Sequence, residues 1–279
     1  MDYRLIVRWL AAFKPPDEIS PSEFAEREIV LPPSANAQPG PLRLAPYQRE
    51  LVNSIADDDV EIVVMMVSAQ TGKSLSVLAA LGYIVVCDPG PAMHFSPTEK
   101  ESVSFVRERL NPLIDSSPRL RRAIGKGQSL RKGSSGGLDS TEVKTFPGGQ
   151  LSFGSSHKKT DVAARAIRYL LLDEVDKFAE NAGGEGDPIE LAIKRTTTFE
   201  GRRRKIIIVS TPTTRMGSRI NAWYLRGDQR KFKVPCPEPR CGEYFALEFD
   251  HVDWTKKRPE TARIVCPYCG VVHDEAARQ

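Results

Sequence analysis

The sequence predicts an α/β fold, a parallel sheet flanked by helices, with a small metal-stapled segment at the carboxyl end. Three observations predict it. Residues 61–74 (EIVVMMVSAQTGKS) run from an apolar strand through a small, polar, glycine-containing turn into an apolar stretch of helical length. Residues 167–176 (IRYLLLDEVD) and 206–210 (IIIVS) are continuous apolar runs, as expected of strands buried on both faces of a parallel sheet. Four of the five cysteines fall after residue 235, in two close pairs.

At 279 residues the chain is long enough for a sizeable core and about two domains. With 40% hydrophobic and 27% charged residues it has a globular composition, which excludes a disordered chain. A net charge of +4 suits a polyanionic partner such as DNA, and equally an ordinary protein surface. Residues 1–14 mix Asp2, Arg4 and Arg8 into their apolar positions, unlike a secretory leader. No run approaches the roughly 18 apolar residues of a membrane span. The expected compartment is therefore cytosolic, where paired cysteines point to metal ahead of disulfides.

In chain order, residues 2–13 place Leu5, Ile6, Trp9, Leu10 and Phe13 at helical spacing, and Pro15 and Pro16 stop that helix. A second short helix is expected over 20–29, capped by Ser20 or Ser22. Residues 31–46, with Pro32, Pro33, Pro39, Gly40, Pro41 and Pro46, predict an extended surface connection. Residues 47–56 (YQRELVNSIA) predict a helix. The amide of Gln48 offers a donor and an acceptor together and can recognise an adenine edge, although any exposed helix can carry such a glutamine. Residues 74–87 predict an apolar helix ended by Asp88-Pro89-Gly90, in which Cys87 is a small buried hydrophobe. A buried strand over 92–96, a charged helix over 98–110 and a hairpin over 142–146 and 150–153 follow. Between them, Arg119, Arg121, Arg122, Lys126, Arg131 and Lys132 are interleaved with Gly and Ser, either as a solvated loop or as a grip on a phosphate backbone.

The strand–turn–helix at 61–87 has the chemistry to hold phosphate, because backbone N–H groups of Ser68, Ala69, Gln70, Thr71, Gly72, Lys73 and Ser74 can surround an anion at a helix N-terminus. The pattern G-x-x-x-x-G-K-[ST] is met at Gly72, Lys73 and Ser74, but Val67 stands at its first glycine. A β-branched residue resists positive φ, so this loop is expected to open in a different backbone conformation. Ligands of open α/β sheets sit outside the carboxyl ends of the strands, which places Asp173 and Glu174 beside the loop. Asp173 with Ser74 can hold Mg²⁺, and Glu174 can orient and polarise an attacking water. An acidic turn can also be a plain helix cap. The tip after 206–210, Ser210 and Thr211 onward to Thr214, can sense a γ-phosphate or form a simple proline turn. Lys194, Arg195 and residues 202–205 are basic. Arg195 is the candidate arginine finger, in cis or toward a neighbouring subunit, with DNA contact and solvated surface as the other uses of this cluster.

Cys236 and Cys241 in CPEPRC and Cys266 and Cys269 in CPYCG make C-x4-C followed by C-x2-C. Thiolates at this spacing complete a tetrahedral Zn²⁺ site on two short hairpins and supply stability that so small a segment lacks. Two disulfides are the other reading. His251 and His273 lie nearby, but four cysteines already fill such a site.

With these elements in place, the chain resembles the ATPase half of the lambda-type (GpA-like) large terminase subunit of tailed bacteriophages. The resemblance covers residue 46 to the end and rests on VSAQTGKS (67–74), RYLLLDEVD (168–176), GEGDPIELAIKRTTTF (184–199), KIIIVSTPTT (205–214) and SRINAWYLRGDQRKFKVPCP (218–237). It implies a RecA-like (P-loop, ASCE-type) domain at residues 46–230, preceded by an N-terminal helical and extended segment at 1–45 and followed by a zinc-ribbon-like segment at 231–279. It implies a motor that hydrolyses ATP with Mg²⁺ to drive double-stranded DNA through the portal protein into the procapsid. Such a motor works with a terminase small subunit, as a homo-oligomeric ring, in the host bacterial cytoplasm and without a membrane. Lys73 and Ser74 match the family's phosphate-loop positions, Asp173 and Glu174 its magnesium and catalytic acids, and Ser210 to Thr213 its coupling motif. Many large terminases place an arginine where this chain has Ala69, so another arginine must supply that charge. The family's metal-dependent nuclease half has no counterpart before the chain stops, ten residues after Cys269, so an ATPase fragment without DNA cleavage is expected. A RecA-like helicase and a non-hydrolysing DNA- or portal-binding module are the alternatives.

Overall fold

The structure is a computed structural model that describes residues 19–34, 38–129, 141–157, 166–182, 184, 186–201, 204–214 and 217–273. The helix expected over 2–13 lies outside these residues, as do Arg131, Lys132, Arg202, Arg203 and the side chain of Lys126.

Ser20 caps α1 (Pro21–Glu28), its hydroxyl accepting from Glu23 N at 3.3 Å with Pro21 at the first helical position. β1 (Val30–Leu31) then pairs antiparallel with β2 (Gly40–Pro41). The proline-rich stretch is not only surface: Leu31, Leu42 and Leu44 are buried in the main core. Proline keeps the backbone extended, and alternate side chains of an extended chain can still turn inward. α2 (Pro46–Asn53), β3 (Ile62–Met66), α3 (Lys73–Val86) and β4 (Pro91–Ser96) follow. α4 (Glu99–Ser104) opens with a Thr98/Glu101 capping box and continues past its expected end through a π-helical turn, Phe105–Leu110, into α5 (Asn111–Ser116). That wider turn spaces donors five residues apart, as in Asn111 N to Val106 O, and carries the helix past Pro112, which has no N–H. Then come α6 (Pro118–Ser129), β5 (Val143–Phe146), β6 (Gly149–Ser155), β7 (Tyr169–Asp173), α7 (Pro188–Ile193), β8 (Lys205–Ser210) and α8 (Arg219–Arg226).

Six strands form one sheet in the order β3-β8-β7-β4-β6-β5, parallel throughout except for the β5–β6 hairpin. The sheet is thus mixed at one edge. A tight turn can only reverse a strand; Gly148 makes it here with φ 86°, and Gly149 beside it has no room for a side chain, since a Cβ would lie 2.3 Å from the Gly90 carbonyl oxygen. Every residue of β7 and β8 is buried. Leu171, Ile207 and Val209 join the core on one face, with Phe24, Leu81 and Ile84; Leu170, Leu172, Ile206 and Ile208 join the other, with Phe95, Ile189 and Ile220. Burial on both faces makes the period-2 strand appear as an unbroken apolar run.

Charged anchors fix the amino ends of these strands. Arg204, 9% exposed, grips Glu61 through Nε–Oε1 at 2.6 Å and Nη2–Oε2 at 2.9 Å. The guanidinium hydrogen bond is the main reason the Glu61 carboxyl lies below its ordinary range. Arg168 makes the same fork to Asp88 at 3.0 and 2.8 Å, and Lys205 Nζ donates to the carbonyls of Asp57 and Val60. Arg204 and Lys205 therefore belong to the framework, and are not free for DNA.

The chain divides into two compact units, Met1–Gly227 and Asp228–Gln279. In the second, β9 (Lys233–Pro235) pairs antiparallel with β10 (Tyr244–Ala246), and β11 (Val252–Asp253), β12 (Arg263–Val265) and β13 (Val272–His273) form a three-stranded antiparallel sheet. Its core is small: Cys236, Phe245, Ile264 and Cys266. Among the described residues, no helix is long and apolar enough to cross a membrane.

Candidate active site

The loop after β3 begins as an extension of the sheet, with Val67 N donating to Ser210 O at 3.2 Å. Val67 stays out of the left-handed region, which is entered instead at Gln70 (φ 62°) and Gly72 (φ 76°). A valine at the first glycine position is thereby tolerated, because the turn that needs positive φ falls later in the loop. Thr71 Oγ1 donates to Ser68 O at 2.7 Å and closes the turn. Ser68, Ala69 and Gln70 are exposed, while Thr71 to Ser74 are half-buried. Gly72 is the N-cap of α3 and, with no side chain to spend on capping, leaves the first-turn N–H groups directed at whatever occupies the loop.

Gln48 supports this loop from behind. Its side chain is committed on three sides: Oε1 accepts from Ala45 N at 2.8 Å, and Nε2 donates to Gly72 O at 2.9 Å and Ser76 Oγ at 3.2 Å. At 4% exposure the amide has no edge left for a base, so the adenine-reading role is replaced by bracing of the loop. Neighbouring Tyr47 does the same, its hydroxyl donating to Thr71 O at 3.0 Å. A Cβ at position 72 would come within 2.5 Å of Gln48 Nε2, so the glycine is needed for this close approach as well as for its φ.

β7 delivers the two acids and then splits them. Glu174 N donates to Val209 O at 2.8 Å, and Glu174 takes a left-handed backbone (φ 61°), a conformation that costs roughly 1–3 kcal/mol for a non-glycine residue. The reversal aims its carboxylate at the loop. Lys73 Nζ donates to Glu174 Oε1, and its other contact is Thr211 Oγ1 at 3.4 Å. Lys177 Nζ holds Glu174 Oε2 at 3.1 Å, a bond that, against partial burial, raises the lysine's pKa. Lys177 escaped sequence reasoning, although its spacing three residues past Glu174 was the available signal.

Asp173 is 9% exposed, and its Oδ1 is buried without a hydrogen-bond partner, the condition of an oxygen that can serve a cation. Its Oδ2 lies 3.8 Å from Nε2 of His94, a fully buried ring stacked on Phe105 at 3.9 Å. A histidine inside the apolar strand AMHFS was the sequence signal for it.

Two expectations change here. Ser210 is fully buried and its hydroxyl accepts from Asp176 N at 3.2 Å, so of the expected sensor pair only Thr211 meets Lys73. Arg195 lies at the wrong end of the sheet for a cis finger: its carbonyl accepts from Ile167 N at 3.0 Å. Six residues of strand separate Ile167 from Asp173, about 20 Å at the strand rise per residue, which exceeds the reach of an arginine.

In the second unit, the sulfurs of Cys236, Cys241, Cys266 and Cys269 all lie within 4.8 Å of one another, and no pair is bonded as a disulfide. Cys236 and Cys269 are 3.6 Å apart, and Cys241 and Cys266 4.0 Å apart. Four thiolates about 2.3 Å from a common centre would be separated by similar distances. Burial opposes ionisation of Cys266, but the N–H groups of Cys269 and Tyr268 aimed at its sulfur bring its pKa down to about 7. Neither His251, at 3.1 Å from Ala246 O, nor His273 joins the cluster.

A phosphate-ready loop, a lysine, two acids and a threonine tip at the carboxyl ends of β3, β7 and β8 define a phosphate-loop nucleotide hydrolase. The chain belongs to the family of the phage terminase large subunit gpA, ATPase domain, whose model matches residues 36–279. Membership makes it an ATP hydrolase. It is 25% identical to the large terminase subunit of Enterobacteria phage P21 over 95% of this chain and 41% of that protein. To the large terminase subunit of Escherichia phage lambda it is 26% identical, over 91% of this chain and 39% of that protein. The crystal structure of the bacteriophage HK97 large terminase shares the fold, with a TM-score of 0.58 at 14% identity, covering 76% of this chain and 41% of that one. The chain thus spans about two fifths of the length of these relatives.

Proposed function

We propose that this chain is the ATPase motor of a phage terminase, hydrolysing ATP to translocate double-stranded DNA into the procapsid. The observation that carries this is the convergence on Lys73 of Glu174 from β7 and Thr211 from β8. In this reading Lys73 exchanges Glu174 for the β- and γ-phosphates of ATP. Glu174, with Lys177 beside its second oxygen, then orients and polarises the attacking water. Thr211 registers the presence of the γ-phosphate through its hydroxyl.

Ser74 and the unpartnered Oδ1 of Asp173 would hold Mg²⁺, which neutralises charge developing on the phosphates. The remaining positive charge comes from a neighbouring copy in a homo-oligomeric ring, for which Arg195 remains a candidate in trans. Small terminase subunit, portal protein and procapsid are the proposed partners, in the host bacterial cytoplasm.

ATP hydrolysis by the purified chain, measured with and without linear double-stranded DNA and portal-bearing procapsids, tests this. Hydrolysis stimulated by these components is the expected result. Strand separation of a short duplex would replace the reading by a helicase, and stoichiometric nucleotide binding without turnover in their presence would replace it by a binding module.

The four cysteines are proposed to hold a single structural zinc. Purified protein should carry about one zinc per chain by elemental analysis. A strong chelator, or Cys266→Ser, should unfold residues 228–273, since the small apolar core there is too slight to stand alone. Full near-UV ellipticity and protease resistance of that unit after zinc removal would overturn the assignment.

A further inference from the structure

Asp176 has no part in the chemistry described above, yet it gathers more donors than either catalytic acid. Its N–H donates to Ser210 Oγ at 3.2 Å. Its Oδ2 accepts from both Thr213 N, at 2.9 Å, and Thr213 Oγ1, at 3.0 Å. Its Oδ1 accepts from Ile220 N at 2.8 Å, in the first turn of α8. Ser218, whose hydroxyl caps α8 by accepting from Asn221 N at 3.2 Å, also hydrogen-bonds this carboxylate. Burial opposes its ionisation, but the donors of Ile220, Ser218 and Thr213 together hold it below the ordinary aspartate range, so it bonds as a charged acceptor. A further tie runs parallel, from Arg219 Nη2 to Ala179 O at 2.9 Å.

The position of these bonds gives them meaning. Thr213 is two residues beyond Thr211, whose hydroxyl meets Lys73. α8 packs on β3, the strand that runs into the phosphate loop, and is the last helix before the second unit. A displacement of the β8 tip therefore has a short route to α8 through the Asp176 carboxylate, beside the backbone bond from Ser218 N to Thr214 O at 3.1 Å.

We propose that Asp176 is a positioning residue that binds the tip of β8 and the first turn of α8 into one body, so that the state of Thr211 at the nucleotide is transmitted to α8. This rests on the motor reading above and adds to it the residue that makes the connection. Asp176→Asn keeps the shape but turns one acceptor oxygen into a donor that opposes Thr213 or Ile220. It is expected to bind a fluorescent ATP analogue as wild type does, to lose roughly ten- to a hundredfold in kcat, the cost of a small misplacement of reacting groups by a remote change, and to lose stimulation by DNA. Amide hydrogen exchange over residues 211–222 should accelerate, with the phosphate loop unchanged. Thr213→Val, which removes only one of the four donors to the Asp176 carboxylate, should show a smaller change of the same kind and guards against a misfolded first variant.

Wild-type kcat, DNA stimulation and exchange in Asp176→Asn would overturn the proposal. So would equal losses of nucleotide binding, turnover and melting temperature, which would mark a general structural role. If wild-type protein shows no stimulation by DNA, the motor reading fails by itself, and the kcat and exchange comparisons still decide the role of Asp176.

Discussion

Glu174→Gln is expected to lower ATP turnover by roughly 10²–10⁴-fold, the usual contribution of a positioned general base, while leaving ATP binding as tight as wild type or tighter. The sign on binding follows from the geometry. Glu174 occupies Lys73 through Oε1, so the carboxylate competes with phosphate for that ammonium and repels the nucleotide's negative charge. Glutamine removes the charge and keeps the shape, and Lys177 loses an ion pair that is of little weight at 59% exposure. Pre-steady-state hydrolysis and equilibrium binding of a fluorescent ATP analogue separate the two effects. Wild-type turnover would remove Glu174 from the chemistry, and loss of binding in proportion to turnover would make it a structural acid.

Lys73→Ala should act on both quantities. The ammonium has only 10% side-chain exposure and sits where α3 begins, so its interaction with phosphate is weakly screened. Losing one such preorganised cation costs roughly 10²–10³ in kcat, about 3–4 kcal/mol. Because the same group faces the phosphates in the ground state, the dissociation constant for ATP should also rise at least tenfold. A variant that bound ATP normally but failed to hydrolyse it would confine Lys73 to the transition state. One that did both normally would remove the loop from the site. The contrast with Glu174→Gln is the test: the lysine carries binding and chemistry, the glutamate chemistry alone.

The corrections share one origin. Gln48 is a polar residue near the start of a helix, and its sequence neighbours do not reveal that it faces inward; only the packing of α2 on α3 turns its amide to the Gly72 carbonyl. Ser210 and Thr211 are adjacent and chemically alike. The sheet decides between them, because alternate residues of β8 point to opposite faces and the strand ends between the two. Arg195 has the chemistry of a finger, but its carbonyl lies at the amino end of β7, which excludes the role in cis and not the one in trans. Lys177 and Asp176 were in plain view within DEVDK, but their roles need Glu174's left-handed turn, which no residue preference announces for a glutamate.

By itself the sequence determined what is local or strictly periodic. Unbroken apolar runs at β7 and β8 pointed to burial on both faces and hence a largely parallel sheet; GKS after a strand pointed to a helix opening on an anion site; and C-x4-C with C-x2-C pointed to four sulfurs joined by one metal or by two disulfides. The tertiary structure alone decided which side chains face one another. Lys73 meets Glu174 across 101 residues and Thr211 across 138, and Asp176 meets Ile220 across 44. Contacts of that separation depend on strand order and on the φ of single residues. Here the order β3-β8-β7 sets the phosphate loop, the threonine tip and the acids side by side, and Val67 is harmless because its N–H still belongs to that ladder.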